Sequence, residues 1–118
     1  MPTVRELLDA NLHRVFNTRS AVERRAAIDE VYTADVVFTD PDGSVTGRDA
    51  LAQKTATLLS ELPDSFVFAD EGLAYTSADT GALGWTVGPV DGEPVLRGID
   101  VITVRDGQIA TLLTILHR

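Results

Sequence analysis

Apolar residues recur at helical spacing through the first half of this chain and at every second position through the rest. Across residues 3–17, Val4, Leu8, Leu12, Val15 and Phe16 fall on one side of a helix, with His13, Arg14 and Asn17 turned to solvent. Ser20 followed by Glu23 has capping-box spacing and opens a second helix, with Ile28, Val31 and Tyr32 as apolar positions, that runs to about Thr33. Glu23, Arg24 and Arg25 read as its solvated face. VVFTD is then a short strand, and DPDGS supplies turn chemistry, with Pro41 able to hold the φ of a turn and Gly43 able to go left-handed. Thr46 and Asp49 repeat the capping-box spacing before a third helix, which carries Leu51, Thr55, Leu58, Leu59 and Leu62 and stops at Pro63.

From Ser65 onward the period is two. SFVFADEGLAYT, GALGWTVGPV, EPVLRGIDVITV and QIATLLTILH are the predicted strands, separated by turns near Asp79 to Gly81, at Asp91-Gly92 and at Asp106-Gly107. Helices followed by an antiparallel meander make an α+β fold, with three N-terminal helices packed on a bent antiparallel sheet. Gly72, Gly84, Gly88 and Gly98 are the expected bend or bulge positions. The last strand is apolar on both faces: Leu112 and Leu116 lie on one, Leu113 and Ile115 on the other. Ile99 and Val101 give its neighbour the same double character. Helices can cover only one face, so a homodimer through the sheet is expected.

Composition narrows the function classes. With 118 residues, 44% hydrophobic and 24% charged, the chain is expected to form a single domain over residues 1–118. A formal charge of -8 repels phosphate backbones and anionic lipid, which argues against nucleic acid or a membrane as partner. The chain has no Cys, which removes disulfides, thiol nucleophiles and thiolate metal sites. Its two His are far apart in sequence, and no metal is expected. The N-terminal pattern is broken by Glu6 and Asp9, unlike a signal peptide, and no apolar run reaches the roughly 18 residues of a membrane span. A cytoplasmic location is the expectation.

Two aspartates break the strand alternation. Asp40 follows Val36 and Phe38, and Asp100 precedes Ile102 and Val104, so both carboxyls point to the side those apolar residues bury. A carboxylate there loses hydration, which costs several kcal/mol unless it is paired, hydrogen-bonded or neutralised. Perturbed carboxyls in an apolar setting mark functional sites. Structural readings stand beside this one. Asp40 precedes Pro-Asp-Gly and fits the first position of a turn, or an ion pair with an Arg. Asp100 fits a hydrogen-bonded structural role beneath the sheet. Trp85, in phase with Leu83 and Val87, serves either core packing or a substrate platform. Thr114 shares a face with Leu112 and Leu116, and Asn11 borders the apolar side of the first helix. His117 and Arg97 are in outward phase, where an interface salt bridge suits Arg97.

Helix, helix, a strand ending in FTDP, a third helix, then a meander carrying GID and RDGQI resembles the nuclear transport factor two-like superfamily. Within it, the chain is most similar to the SnoaL-like polyketide cyclases and ketosteroid isomerases. That resemblance implies a cone-shaped, cystatin-like fold whose bent sheet wraps a small-molecule pocket. In ketosteroid isomerases one Asp abstracts a proton beside a carbonyl and a second, held neutral, donates to the enolate oxygen. The resemblance places Asp40 in the first role and Asp100 in the second, as catalytic residues needing no cofactor. It also implies a Tyr donor on the first helix, where this chain has Phe16. The epoxide hydrolases of the superfamily need an Arg and two Asp, and the second Asp would fall near Thr114, so that reaction is set aside. Phe16, Phe38, Leu59, Trp85, Leu112, Thr114 and Leu116 are the expected substrate-binding residues, lining an apolar pocket with few polar groups. The expected activity is proton transfer, isomerase-like or cyclase-like, on an apolar carbonyl-bearing cyclic substrate. The alternative is a ligand-binding or dimerisation module without chemistry.

Overall fold

A computed structural model describes residues 1–117. The first helix, α1 (Val4–Ala10), is opened by a capping box in which Thr3 and Glu6 satisfy each other's backbone N–H groups. It continues without a break into a π-helical stretch, Asn11–Phe16, closed by an i to i−5 bond from Asn17 N to Leu12 O (2.9 Å). Asn11, Leu12, Val15 and Phe16 of this stretch are buried, as Leu7 and Leu8 are in the turn before it. α2 (Ala21–Val31) starts at the Ser20 cap, and the chain passes at Tyr32 directly into β1 (Tyr32–Asp40). The helix therefore ends two residues before the expected Thr33.

The segment expected to be only a turn contains a further strand. Pro41 and Asp42 make the turn, and β2 (Gly43–Thr46) pairs back antiparallel on β1, with Asp40 opposite Gly43. α3 (Arg48–Ser60) then begins after Gly47, whose φ of 96° suits glycine. The expected Thr46 cap is absent: Thr46 belongs to β2, and the N-cap position holds no side-chain hydrogen bond.

β3 (Phe66–Thr76), β4 (Thr80–Pro89), β5 (Leu96–Arg105) and β6 (Gln108–Leu116) form the meander. The sheet has six strands in the order β2-β1-β6-β5-β4-β3. All its pairs are antiparallel except β1 with β6, which is parallel, so the sheet is mixed where an antiparallel one was expected. The β3–β4 register shifts between Glu71 and Tyr75, where Gly72 has a φ of 78°. Such a bulge bends the long strand pair.

One face of this sheet meets the helices. Leu8, Leu12 and Val15 from the first helix, Ile28 and Val31 from α2, and Leu51 from α3 pack on Val36, Phe38, Leu83, Val87, Ile102, Ile109 and Leu112. Arg24, expected in solvent, is buried and donates to the carbonyls of Thr18 (2.8 Å) and Arg19, which ties the loop between the first two helices. The other face leaves Leu73, Tyr75, Ile99, Leu113 and Ile115 exposed. Arg97 on that face pairs with Glu71 of its own chain at 2.9 Å. No helix among the described residues is long and apolar enough to cross a membrane.

Candidate functional site

A cavity of about 390 Å³ lies between the first helix, α3 and the inner face of the sheet. Leu12 and Phe16 come from the first helix, Leu58, Glu61 and Leu62 from α3 and the turn after it, and Phe38, Asp40, Pro41 and Asp42 from the end of β1 and its turn. The sheet adds Phe68, Trp85, Val87, Leu96, Asp100, Thr114 and Leu116. Both singled-out aspartates thus line one cavity. Leu59 and Leu112 do not: Leu59 is turned away on the helix that presents Leu58, and Leu112 is buried one alternation from Thr114.

The aromatic wall is continuous. Phe16 meets Phe38 edge-on at 6.2 Å and Phe68 at 5.8 Å, and Phe68 meets Trp85 edge-on at 5.5 Å. Edge-to-face pairs of this kind favour a fixed arrangement over free rotation. Asn17 fixes Phe68 further: its amide donates to Phe68 O (2.8 Å) and accepts from Phe68 N (2.7 Å), clamping β3 to the end of the first helix. Sequence phase put Asn17 in solvent, because a side chain that binds backbone leaves no apolar signature.

Asp100 is 4% exposed, and its carboxyl is surrounded by donors from three elements. Trp85 Nε1 (3.0 Å) and Thr114 Oγ1 (2.8 Å) both donate to Oδ1, and Asn11 Nδ2 (2.8 Å) donates to Oδ2. Burial pushes this carboxyl up to about 6, against the pull of all three donors. Among the described residues no cation offsets the burial. Asn11 is itself held by Tyr32, whose fully buried hydroxyl donates to Asn11 Oδ1 at 2.5 Å. Burial, and then the charge of Asp100, raise that phenol well above its ordinary value.

Asp40 has the opposite surroundings. Lys54 Nζ of α3 lies 2.8 Å from Oδ1, which also accepts the backbone N–H of Asp42 (2.9 Å). The side chain is only 6% exposed. Lys54 also donates to Gly43 O (3.1 Å) and sits 5.2 Å over the Phe38 ring, so one cation closes the β1–β2 turn onto α3. Asp40 therefore forms both the turn and an ion pair, with Lys54 rather than an Arg. Both bonds fall on Oδ1, and among the described residues Oδ2 accepts none.

His13 is not free in solvent. Its Nε2 lies 2.7 Å from Asp70 Oδ1 and 3.8 Å from Asp9, a grouping with metal-ligand spacing. The polarity of its other nitrogen argues against a metal. Asn17 Nδ2, locked in orientation by Phe68, points at Nδ1 (3.2 Å), so Nδ1 accepts and the neutral ring carries its proton on Nε2. A metal on Nε2 needs that proton on Nδ1, facing a donor.

A model of the SnoaL-like domain matches residues 10–112. Comparison with curated proteins finds no match. Among solved structures, a candidate isomerase of the SnoaL-like family from Agrobacterium tumefaciens superposes with a TM-score of 0.87 at 18% identity, covering 95% of each chain. A candidate polyketide cyclase from Sinorhizobium meliloti gives 0.73 at 17% identity, covering 97% of this chain and 94% of that one. A candidate ketosteroid isomerase from Kribbella flavida gives 0.72 at 19% identity over 97% and 77%. These similarities establish the fold, and the match over residues 10–112 places the chain in the SnoaL-like domain family.

Proposed function

We propose that this protein moves a proton on a small, apolar, carbonyl-bearing cyclic compound, in the manner of an isomerase or an aldol-type cyclase, with the curved sheet and helices forming a cone around the substrate. The observation that carries the reading is two carboxyls in one cavity with opposed surroundings. Asp40, ion-paired through Oδ1 and with no donor to Oδ2 among the described residues, is the base that takes a proton beside the carbonyl. Asp100, buried among neutral donors and raised to about 6, retains a proton in a minor fraction at neutral pH and donates it to the developing enolate oxygen. An oxyanion donor contributes roughly 2.7–4 kcal/mol to such a transition state, and Phe16 adds none. No cofactor takes part in these steps.

The cavity narrows the substrate class. Its volume of about 390 Å³ falls at the small end of ligand pockets, which run to roughly 1,000 Å³. Among the described residues its charged lining, Asp40, Asp42, Glu61 and Asp100, is acidic. A neutral or cationic ligand fits, and a carboxylate or phosphate ester does not. The exposed sheet face is the surface through which we expect two copies to associate.

The test is hydrogen exchange at the α-carbon of 2-tetralone in deuterated water, followed by NMR. The wild type is expected to accelerate exchange, and Asp40→Asn to abolish it while still binding the ketone. Binding without exchange in the wild type removes the catalytic assignment. It would favour the second reading, a binding module, which the involvement of Asp40 in the turn and the ion pair supports.

A further inference from the structure

The donors around Asp100 restrict where its proton can be. Oδ1 accepts from both Trp85 and Thr114, which uses both of its lone pairs. Oδ2 accepts from Asn11, which uses one. In the ionised carboxylate only the remaining lobe of Oδ2 lacks a donor among the described residues, and Asp100 lines the cavity. Once Asp100 is protonated, the Thr114 hydroxyl can turn and accept from it, whereas Trp85 and an unreversed Asn11 cannot. This holds while Asn11 presents its NH₂ to Asp100. An amide can be reversed with little change of shape, and a reversed Asn11 would accept a proton from Asp100 instead.

Tyr32 decides between the two orientations. Its hydroxyl is fully buried, and among the described residues Asn11 Oδ1 is its acceptor. Reversal would set the NH₂ of Asn11 against the phenol and leave the phenolic hydrogen unpaired in the interior, which disfavours it. The ring is not free to move off. Arg48 of α3 donates twice to the Tyr32 carbonyl (Nε 2.9 Å, Nη2 2.7 Å), pinning the backbone where α2 becomes β1.

We infer that Tyr32 is a positioning residue that acts through Asn11, locking the amide as a donor and so denying the proton of Asp100 an acceptor on the first helix. The inference deepens the acid role given above to Asp100 and rests on that reading for its catalytic meaning. The lock itself does not depend on it. The groups facing Asp100 are Asn11 from the first helix, Tyr32 of β1 behind it, Trp85 of β4 and Thr114 of β6. The charged groups lining the same cavity are Asp40, paired to Lys54, with Asp42 and Glu61.

The experiment is a carboxyl ¹³C NMR titration of Asp100 in wild type, Tyr32→Phe, Asn11→Ala and the double variant, with no ligand present. In Tyr32→Phe the amide is released, the protonated acid gains an acceptor, and the Asp100 midpoint is expected to rise by about one pH unit. In the Asn11→Ala background the same Tyr32→Phe change is expected to do nothing, because its effect passes through the amide. An unmoved midpoint in Tyr32→Phe, or an equal shift in both backgrounds, overturns the lock. Should Asn11→Ala fail to fold, the Asn11 side-chain NH₂ resonances of Tyr32→Phe decide the matter. They are expected to lose their hydrogen bond below the Asp100 midpoint, and resonances that hold it at every pH, as in the wild type, overturn the lock. Failure of the tetralone exchange leaves this titration unaffected, so the two readings fail separately.

Discussion

Trp85 and Gly98 are direct partners across the β4–β5 ladder, and a Cβ added at Gly98 would stand 2.4 Å from the indole Cζ2. The same Cβ would lie 2.9 Å from the Ile115 carbonyl oxygen, so neither the ring nor the backbone can yield freely. The glycine is there to let the indole lie across the strand with Nε1 on Asp100. Gly98→Ala is expected to push Trp85 off that bond and to destabilise the fold by about 1–3 kcal/mol, as overpacking does. Because the chain has one Trp, its fluorescence reports the site directly. A red-shifted emission together with a raised Asp100 midpoint is the expected result, and an unchanged spectrum contradicts it.

Asp100 also makes stability depend on pH in an unusual direction. Its carboxyl stands near 6 in the folded chain and near 3.8 when unfolded, so between those values the folded state binds more protons. The stability linked to this group is therefore greatest below about pH 4 and falls as pH rises to about 6, by an amount on the order of 3 kcal/mol. Carboxylates with lowered values, such as Glu30 and Asp35, slope the other way, so the total curve hides the effect. The difference between wild type and Asp100→Asn in urea unfolding isolates it. The variant is expected to gain on the wild type across that window, and parallel curves would show that Asp100 does not titrate there.

Much of this arrangement was legible in the chain, and the gaps have physical causes. Asp100, Trp85 and Thr114 were visible because strand alternation survives in β4, β5 and most of β6. Asn11 was placed only at the edge of the apolar stripe because a polar side chain gives no apolar signal, although it follows the buried Leu7 by four residues on the same helix face. Leu58 and Leu62 replaced Leu59 at the cavity because all three are apolar, and spacing cannot say which apolar stripe meets a void. β2 was hidden by its four residues, too few to show a period. The parallel pairing of β1 with β6 joins residues some seventy positions apart, and no local pattern encodes it.

The outer face of the sheet yields a prediction about assembly. Ile99 and Ile115 are cross-strand partners on β5 and β6, 47% and 50% exposed, with Leu113 beside them. Contiguous apolar surface of this kind is normally covered. Sedimentation of the wild type is expected to give twice the mass of one chain, and Ile115→Lys to give a folded monomer. A wild type that sediments as a single chain rejects the dimer.

Lys54 and Asp40 offer the sharpest separation of structural from catalytic roles, because both side chains are largely buried, at 16% and 6% exposure. Lys54→Met keeps the packing on Phe38 but leaves the carboxylate of Asp40, among the described residues, with the Asp42 N–H alone as donor. Breaking one side of a buried pair is costly, and here the loss is expected to be about 2 kcal/mol in urea unfolding. Adding Asp40→Asn removes the stranded charge, so the double variant is expected to recover most of that loss, a coupling that a cycle of the four proteins measures directly. Independent, additive effects would mean that the pair does not form. If the cycle shows strong coupling while α-carbon exchange survives in Asp40→Asn, then the pair serves the β1–β2 turn alone and the base must be sought elsewhere in the cavity.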